Sequence, residues 1–174
     1  MTLEEVKKEI RDIPDFPSKG ILFKDLTTVF KNPQSMEYLT NILVDMYKDK
    51  KITKVIGIES RGFIFGAILA HKLHAGFVPV RKKGKLPASC FELDYKLEYG
   101  TATLEIHKDA LNNNDTILIH DDLLATGGTL CAAIELTKMM GVKNIYANTI
   151  VELEFLHGKE AMDDVVVYNS LIRF

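Results

Sequence analysis

Apolar positions in this chain gather into short unbroken runs, with stretches of helical spacing between them. Val55-Ile56-Gly57-Ile58, Gly76-Phe77-Val78-Pro79-Val80 and Ile117-Leu118-Ile119 have the pattern of strands buried on both faces. Helices are predicted over 2–12, ending before Pro14 and Pro17, over 33–50 and over 62–73. After Thr129, the residues Leu130, Ile134, Leu136, Thr137 and Met140 recur at helical spacing. Further strands are predicted near 101–106, 116–120, 144–151 and 164–168, and 17–25 is expected to be irregular. The segment 84–100 is polar and broken by Gly84, Pro87 and Gly100, which predicts a long loop or a flexible hairpin. Strands alternating with helices predict an α/β fold: a central, mainly parallel β-sheet flanked by helices, with binding loops at the carboxyl ends of its strands. No repeat, low-complexity tract or linker interrupts the pattern, so 1–174 is expected to be a single domain.

Composition narrows the function classes. A chain of 174 residues with 47% hydrophobic content can bury one good-sized core. A net charge of −2 gives no support for bulk-charge binding to nucleic acid, and none is expected as a partner. Cys90 and Cys131 stand apart without CxxC or zinc spacing, as expected of a reducing, cytoplasmic setting. The acidic start lacks a signal-peptide apolar region and no run reaches membrane-spanning length, so no membrane partner is expected. His71, His74, His107 and His157 lack a metal-ligand partner set, and no metal held by protein ligands alone is expected. His120 stands out by position, either packed into the sheet or bordering the site beside it, and is assigned no catalytic role.

The candidate chemistry is concentrated in residues 117–129. Three aliphatic residues lead into Asp121-Asp122, then a small-residue turn (Ala125-Thr126-Gly127-Gly128-Thr129), then a helix. Such a turn aims backbone N–H groups from the positive end of a helix at an anion, the arrangement that binds phosphate. Gly127 and Gly128 permit close backbone approach, and the hydroxyls of Thr126 and Thr129 can donate to phosphate oxygens. No Gly-Lys-Thr or GxGxxG spacing is present, so neither an ordinary P-loop nor a dinucleotide site is indicated. Two carboxylates beside a phosphate cradle suit the vicinal hydroxyls of a ribose. The ligand inferred is a ribose 5-phosphate.

Asp121-Asp122 followed by Ala125-Thr126-Gly127-Gly128-Thr129 resembles the signature for phosphoribosyl pyrophosphate (PRPP) of the type I phosphoribosyltransferases. A second constellation, Glu59-Ser60-Arg61-Gly62-Phe63, also follows a strand, and Arg61 can hold a pyrophosphate bidentately. The resemblance implies a pyrophosphate loop here, with a cis non-proline peptide near Glu59-Ser60. The third is Arg81-Lys82-Lys83-Gly84-Lys85. Four cations in five residues are commonly a solvated face. Beside a tetra-anionic substrate they supply counter-charge, and Arg81, Lys82 and Lys85 are assigned to pyrophosphate, with Lys83 peripheral. In relatives, part of this cluster reaches the neighbouring subunit's site, which implies a homodimer.

The resemblance narrows to the adenine phosphoribosyltransferases through motifs spread over most of the chain. They are Phe16-Pro17 with Gly20-Ile21-Leu22-Phe23-Lys24-Asp25, the two constellations at 59–63 and 81–87, Leu97-Glu98-Tyr99-Gly100, the 121–129 run and Val151-Glu152-Leu153. Lys24 stands where many relatives have arginine, Glu59 where many have aspartate, and His120 where an aliphatic residue is usual. The resemblance implies an N-terminal cap over 1–32 that contributes to the base site, and a flexible loop over 84–100. Phe23 offers a π-face for a purine and Leu153 the other side. Backbone groups of Leu22 and Lys24 are placed at the base edge, where a C=O and an N–H select adenine over a 6-oxopurine. Glu98 is the catalytic candidate, a carboxylate suited to taking the proton from adenine. Mg²⁺ is expected to arrive with PRPP, held by substrate oxygens and water. The implied reaction joins adenine and PRPP to give AMP and pyrophosphate, in purine salvage.

Two other readings compete. A PRPP-responsive repressor on this fold wants a separate DNA-binding module and a basic face, and the chain has neither spare length nor the charge. A hypoxanthine, guanine or xanthine transferase wants a lysine after the 121–129 helix to meet the 6-oxo group, and Val151-Glu152-Leu153-Glu154-Phe155 supplies none.

Overall fold

In the computed structural model of this chain, which describes residues 1–96, 100–162 and 166–174, Thr2 and Glu5 close a reciprocal capping box. The Thr2 hydroxyl accepts from the Glu5 N–H at 3.2 Å and the Glu5 carboxylate accepts from the Thr2 N–H at 2.7 Å. Helix α1 (Leu3–Glu9) follows and stops earlier than its spacing predicts, because Ile10 turns extended. Strand β1 (Arg11–Pro14), whose first two residues fall in the segment expected to be helix, pairs antiparallel with β2 (Leu22–Asp25), which lies inside the 17–25 stretch expected to be irregular. Register sets Arg11 opposite Asp25 and Asp12 opposite Lys24. Both pairs are bonded, Arg11 Nε to Asp25 Oδ2 at 3.1 Å and Lys24 Nζ to Asp12 Oδ1 at 2.6 Å. Cross-strand charge pairs, rather than apolar alternation, hold this hairpin. Burial opposes ionisation of Asp25, but hydrogen bonds from Arg11 and Thr27 outweigh it and bring its pKa to about 2. Helices α2 (Thr27–Phe30) and α3 (Pro33–Tyr47) follow. Residues Met1–Asp45 form one compact unit, in which Val6, Leu26, Val29, Leu39 and Leu43 are fully buried.

The second unit, Met46–Phe174, contains β3 (Lys54–Ile58), α4 (Gly62–Lys72), β4 (Gly76–Lys82), β5 (Cys90–Lys96) and β6 (Thr101–His107). It continues with β7 (Thr116–Leu124), α5 (Gly128–Met139), β8 (Asn144–Glu152), two short 3₁₀ turns and β9 (Val167–Arg173). Its seven strands lie in the order β5-β6-β4-β3-β7-β8-β9. From β4 to β9 all neighbours pair in parallel, and the β5–β6 hairpin adds antiparallel to the β4 edge. The expected α/β fold with a mainly parallel sheet is therefore the fold of the chain.

Within the segment expected to be a loop or flexible hairpin, 90–96 forms a strand fully paired with β6. The predicted strand at 116–120 instead runs on through the two acids to Leu124, since its ladder with β8 persists to Leu124 and Glu152. The last strand is shifted to 167–173 from the 164–168 expected, and 163–165 lie outside the described residues. Alternation divides β7 between two faces. Ile117 and Ile119 join Leu130, Ala133, Ile134 and Leu136 of α5 in the main apolar core, while the His120 ring lies 6.1 Å from that of Phe65 on α4. Among the described residues no helix is long and apolar enough to cross a membrane.

Candidate active site

Strands β3 and β7 are parallel neighbours, yet their chains leave in opposite directions: β3 passes through α4 to β4, and β7 through α5 to β8. Such a reversal opens a crevice at the carboxyl ends of the strands, where open α/β sheets bind ligands. The turns after β3 and the end of β7 supply the candidate chemistry there. A cavity of about 480 Å³ is lined by Glu59, Ser60, Arg61, Lys82, Asp121, Asp122 and Thr129, with Tyr95, Ala102 and Leu104 from the β5–β6 hairpin. A second, of about 200 Å³, shares Arg61, Asp121 and Thr129 with it and continues along Ala125, Thr126, Gly127 and Gly128.

The acid pair carries the strongest electrostatics in the site. Asp122 is 1% exposed, and Arg61 Nε lies 3.1 Å from its Oδ2. The Asp122 N–H donates to Asp121 Oδ1 at 2.9 Å. Burial pushes both carboxyls above the usual carboxylate range, and the Asp122 charge pushes Asp121 further, while Arg61 pulls both back. Gly62 lets the start of α4 approach this strand: a Cβ there would sit 2.8 Å from the His120 carbonyl oxygen and 3.0 Å from Asp121 Oδ1. The Glu59–Ser60 peptide is cis, as the family resemblance implied.

The turn leading into α5 places Gly127 at the helix N-cap, with a left-handed φ of 86°. A Cβ at Gly127 would meet the Gly158 carbonyl oxygen at 2.5 Å, so glycine is demanded by both conformation and space. Gly128 and Thr129 open the helix, where the first-turn N–H groups have no carbonyl partner within the helix. Thr129 Oγ1 donates to the Tyr95 hydroxyl at 3.4 Å.

The cation cluster divides. Lys82 lines the larger cavity. Arg81 instead meets Glu59 with two nitrogens, at 3.2 and 3.1 Å, and stacks 5.9 Å from the Phe63 ring centre. Glu59 also accepts the Lys82 N–H, and its pKa is lowered because these bonds outweigh its burial. Lys83 is tied to Glu92 at 2.6 Å, and Lys85 is exposed. Neither Arg81 nor Lys85 lines either of the two cavities.

In the first unit, Leu22, Phe23 and Lys24 are consecutive in β2. Leu22 is 47% exposed, Phe23 meets Phe16 edge-to-face at 5.1 Å, and the Lys24 side chain is buried on Asp12. In the second unit, Leu153 is buried just after β8 and donates its N–H to the Leu124 carbonyl. Glu98 lies outside the described residues. His120 turns away from the crevice into the packing between sheet and α4.

The sequence reading did not single out Tyr95 or Gly158. Tyr95 had a signal: Phe91, Leu93 and Tyr95 alternate with polar residues, the pattern of a half-buried strand. Among the described residues no group of three or more His, Cys, Asp or Glu side chains is arranged to hold a metal ion.

The phosphoribosyl transferase domain family matches residues 25–170. An adenine phosphoribosyltransferase of Bacteroides thetaiotaomicron is 58% identical over 172 residues, covering 99% of this chain and 98% of that protein. The adenine phosphoribosyltransferase of Giardia lamblia, solved with 9-deazaadenine, superposes with a TM-score of 0.94 at 45% identity, covering 100% of this chain and 98% of that one. The Saccharomyces cerevisiae protein, solved with an imino-altritol bisphosphate and adenine, gives a TM-score of 0.90 at 39% identity, covering 97% of each chain. An acid pair at a topological switch point, a glycine-rich turn that lines a cavity continuous with it and full-length similarity agree: the chain belongs to the phosphoribosyltransferase family and, within it, to the adenine phosphoribosyltransferases.

Proposed function

We propose that this chain is a purine salvage enzyme that moves the 5-phosphoribosyl group of PRPP onto adenine, releasing AMP and pyrophosphate. The observation that carries the reading is the continuity of the two cavities through Arg61, Asp121 and Thr129. One connected crevice thereby offers a helix N-terminus for the 5-phosphate, carboxylates for the ribose hydroxyls and cations for the pyrophosphate.

In this reading Ala125, Thr126, Gly127, Gly128 and Thr129 bind the 5-phosphate, and Asp121 and Asp122 accept from the ribose hydroxyls. Arg61 and Lys82 face the pyrophosphate, and Lys85, outside the cavities of its own chain, is the cation proposed to reach the pyrophosphate of the partner's site. The C1–oxygen bond breaks with its electron pair leaving on pyrophosphate, positive charge builds on the ribose ring, and an adenine nitrogen bonds to C1. Adenine gives up its imidazole proton, for which Glu98 is the proposed acceptor. The β2 backbone at Leu22 and Lys24 is the proposed reader of the adenine edge, with Phe23 as its stacking face. Rejection of 6-oxopurines then follows from opposed polar groups, which are expensive to bury.

Magnesium is proposed to arrive with PRPP, held by substrate oxygens and water, which Mg²⁺ favours over an all-protein cage; the anionic wall at Asp121 and Asp122 is compatible with a cation there. When bound it would neutralise charge on the departing pyrophosphate, with Asp121 a carboxylate on the cavity side. A homodimer is proposed on two grounds. Ile64 and Phe77 are 38% and 37% exposed, and Lys85 stands outside both cavities of its own chain. Two free cysteines accord with a cytoplasmic location.

Pyrophosphate release is the decisive assay, run with PRPP and Mg²⁺ against adenine, hypoxanthine, guanine and uracil. Turnover with adenine alone is expected. Turnover with guanine but none with adenine would overturn the base assignment and keep the family chemistry.

A further inference from the structure

Glu105 is out of place by composition. It lies in β6 between Leu104 and Ile106, both buried, and is itself 3% exposed. Register puts it opposite Arg81 on β4 and opposite another acid, Glu92, on β5. A buried carboxylate persists when hydrogen bonds replace its water. Glu105 finds three, all from one turn: its Oε2 accepts the Gly84 N–H at 3.1 Å, and its Oε1 accepts the N–H groups of Lys85 at 2.8 Å and Leu86 at 2.6 Å. Burial works against its charge, yet these three bonds hold its pKa below the ordinary value.

Consecutive backbone N–H groups converging on one anion form a nest, a motif that usually binds phosphate. Here Gly84 has the left-handed φ, 80°, that such a turn uses. The anion in this nest comes from the protein. The turn is also joined to the rest of the cation cluster, because the Lys85 carbonyl accepts from Arg81 Nη1 at 3.3 Å and Arg81 is fixed by Glu59. Glu59 thus holds Arg81, Glu92 holds Lys83, and Glu105 holds the backbone that carries Lys85. Four cations in five residues would otherwise repel one another and splay the turn.

We infer that Glu105 is a positioning residue for pyrophosphate recognition: its carboxylate fills the backbone nest at Gly84–Leu86 and so fixes where the Lys85 ammonium is presented. This rests on the proposed function, which assigns Lys85 to pyrophosphate. It also assigns the anion contacts of the segment to side chains, since the backbone donors of 84–86 are already taken.

The test compares Glu105→Gln, Glu105→Asp, Lys85→Ala and Glu105→Gln/Lys85→Ala in both reaction directions. Glu105→Gln swaps an acceptor oxygen for an amide donor facing N–H groups. KM for PRPP and for pyrophosphate should rise about tenfold or more, the value of a charge-assisted hydrogen bond set, while kcat changes less. Glu105→Asp keeps the charge and should recover part of the loss. The double variant should match Lys85→Ala alone, because a positioning residue has nothing left to position. Independent, multiplying penalties would overturn the inference, as would a fall in kcat at unchanged KM. Wild-type protein gives a reading that needs neither turnover nor a variant that folds. The amides of Gly84, Lys85 and Leu86 should be protected from hydrogen exchange, and saturating Mg²⁺ and pyrophosphate should leave that protection unchanged. Unprotected amides in the free protein overturn the clamp itself. Protected amides in a protein that does not turn over PRPP would instead count against the proposed function.

Discussion

His120 Nδ1 lies 2.6 Å from Asn148 Oδ1, and both side chains are fully shielded from solvent. The two residues are register partners on β7 and β8. Because a carboxamide oxygen can accept but not donate, Nδ1 carries the proton in this pair. Burial drives the His120 pKa down to about 4, against the opposing effect of Asn148. One residue before the acid pair, the chain has therefore placed a polar packing element that takes no part in the crevice.

The first prediction follows from the sign of that shift. The folded pKa is about 4, below the ordinary 6.5, so between these values the unfolded chain binds a proton that the folded chain refuses. Stability from this source is complete above 6.5 and is lost as pH falls toward 4, by roughly 3 kcal/mol in all. His120→Val should abolish that loss, and it should cost about 1–3 kcal/mol at neutral pH by leaving Asn148 Oδ1 without its donor. Turnover of folded protein should change little. Urea unfolding of both proteins across pH 7.5 to 4 reads the difference and cancels the opposite contribution of the raised Asp121 and Asp122 carboxyls. Parallel curves would show that His120 ionises freely in the folded state.

Asp122→Asn tests the acid pair. The amide loses the charge that meets Arg61 and one acceptor for the ribose. PRPP KM should rise about tenfold or more, as expected for loss of a charge-assisted pair. Asp121→Asn should weaken PRPP use in the same direction. Calorimetric PRPP affinity at the wild-type value in both variants would remove the ribose from this pair.

Gly127→Val addresses the cradle. A side chain here must accept a left-handed φ and displace the Gly158 backbone, a local cost of about 1–3 kcal/mol for the conformation alone. PRPP use should suffer more than in either aspartate variant, and Gly127→Ala should fall between. Binding of ribose 5-phosphate, measured on protein shown to be folded, separates cradle damage from global unfolding. Unchanged affinity would place the phosphate elsewhere.

The parallel sheet was legible because its strands are continuous apolar runs, and the turn into α5 was legible because Ala125–Thr129 is dense in residues of specific backbone use. Two kinds of feature were not. The β1–β2 hairpin has no apolar alternation, since Arg11, Asp12, Lys24 and Asp25 hold it by pairing, and a sequence does not say which charges meet. Breakers at Gly84 and Pro87 masked the strand at 90–96, whose alternation at Phe91, Leu93 and Tyr95 packs on the core. The end of β7 was misjudged for a related reason: two acids look like a strand terminus, whereas the ladder to β8 continues beneath them. Within the site, Asp121, Asp122, Arg61, Lys82 and Thr129 are brought together as the motifs suggested. The commitment of Arg81 to Glu59 was invisible because it depends on three-dimensional pairing across 22 residues.

If Lys85 acts across a two-fold interface, impaired Lys85→Ala chains mixed with inactive Glu98→Ala chains should recover activity beyond the sum of the two alone. One site of each mixed dimer would then hold both intact residues, provided Lys85 and Glu98 of a site come from different subunits. Recovery requires subunit exchange, which light scattering and mixing at low concentration can verify. A fully active monomer would sink the idea.

Glu98→Gln is the sharpest test of the chemistry. The substitution preserves size and removes basicity, so an enzyme that uses this carboxylate to take the adenine proton should keep its PRPP affinity. PRPP contacts are assigned to Arg61, Lys82, Lys85, Asp121, Asp122 and 125–129, none of which the substitution alters. Turnover should fall by about 10²–10⁴-fold, the usual cost of losing a positioned general base. The pH dependence of kcat distinguishes two roles. Loss of a base flattens the acidic limb of the profile, whereas loss of a hydrogen bond alone lowers the whole curve and leaves its shape. Wild-type turnover together with a wild-type profile would hand the proton to solvent or to another group, and would leave PRPP activation at the acid pair and Arg61 as the chain's main contribution to rate.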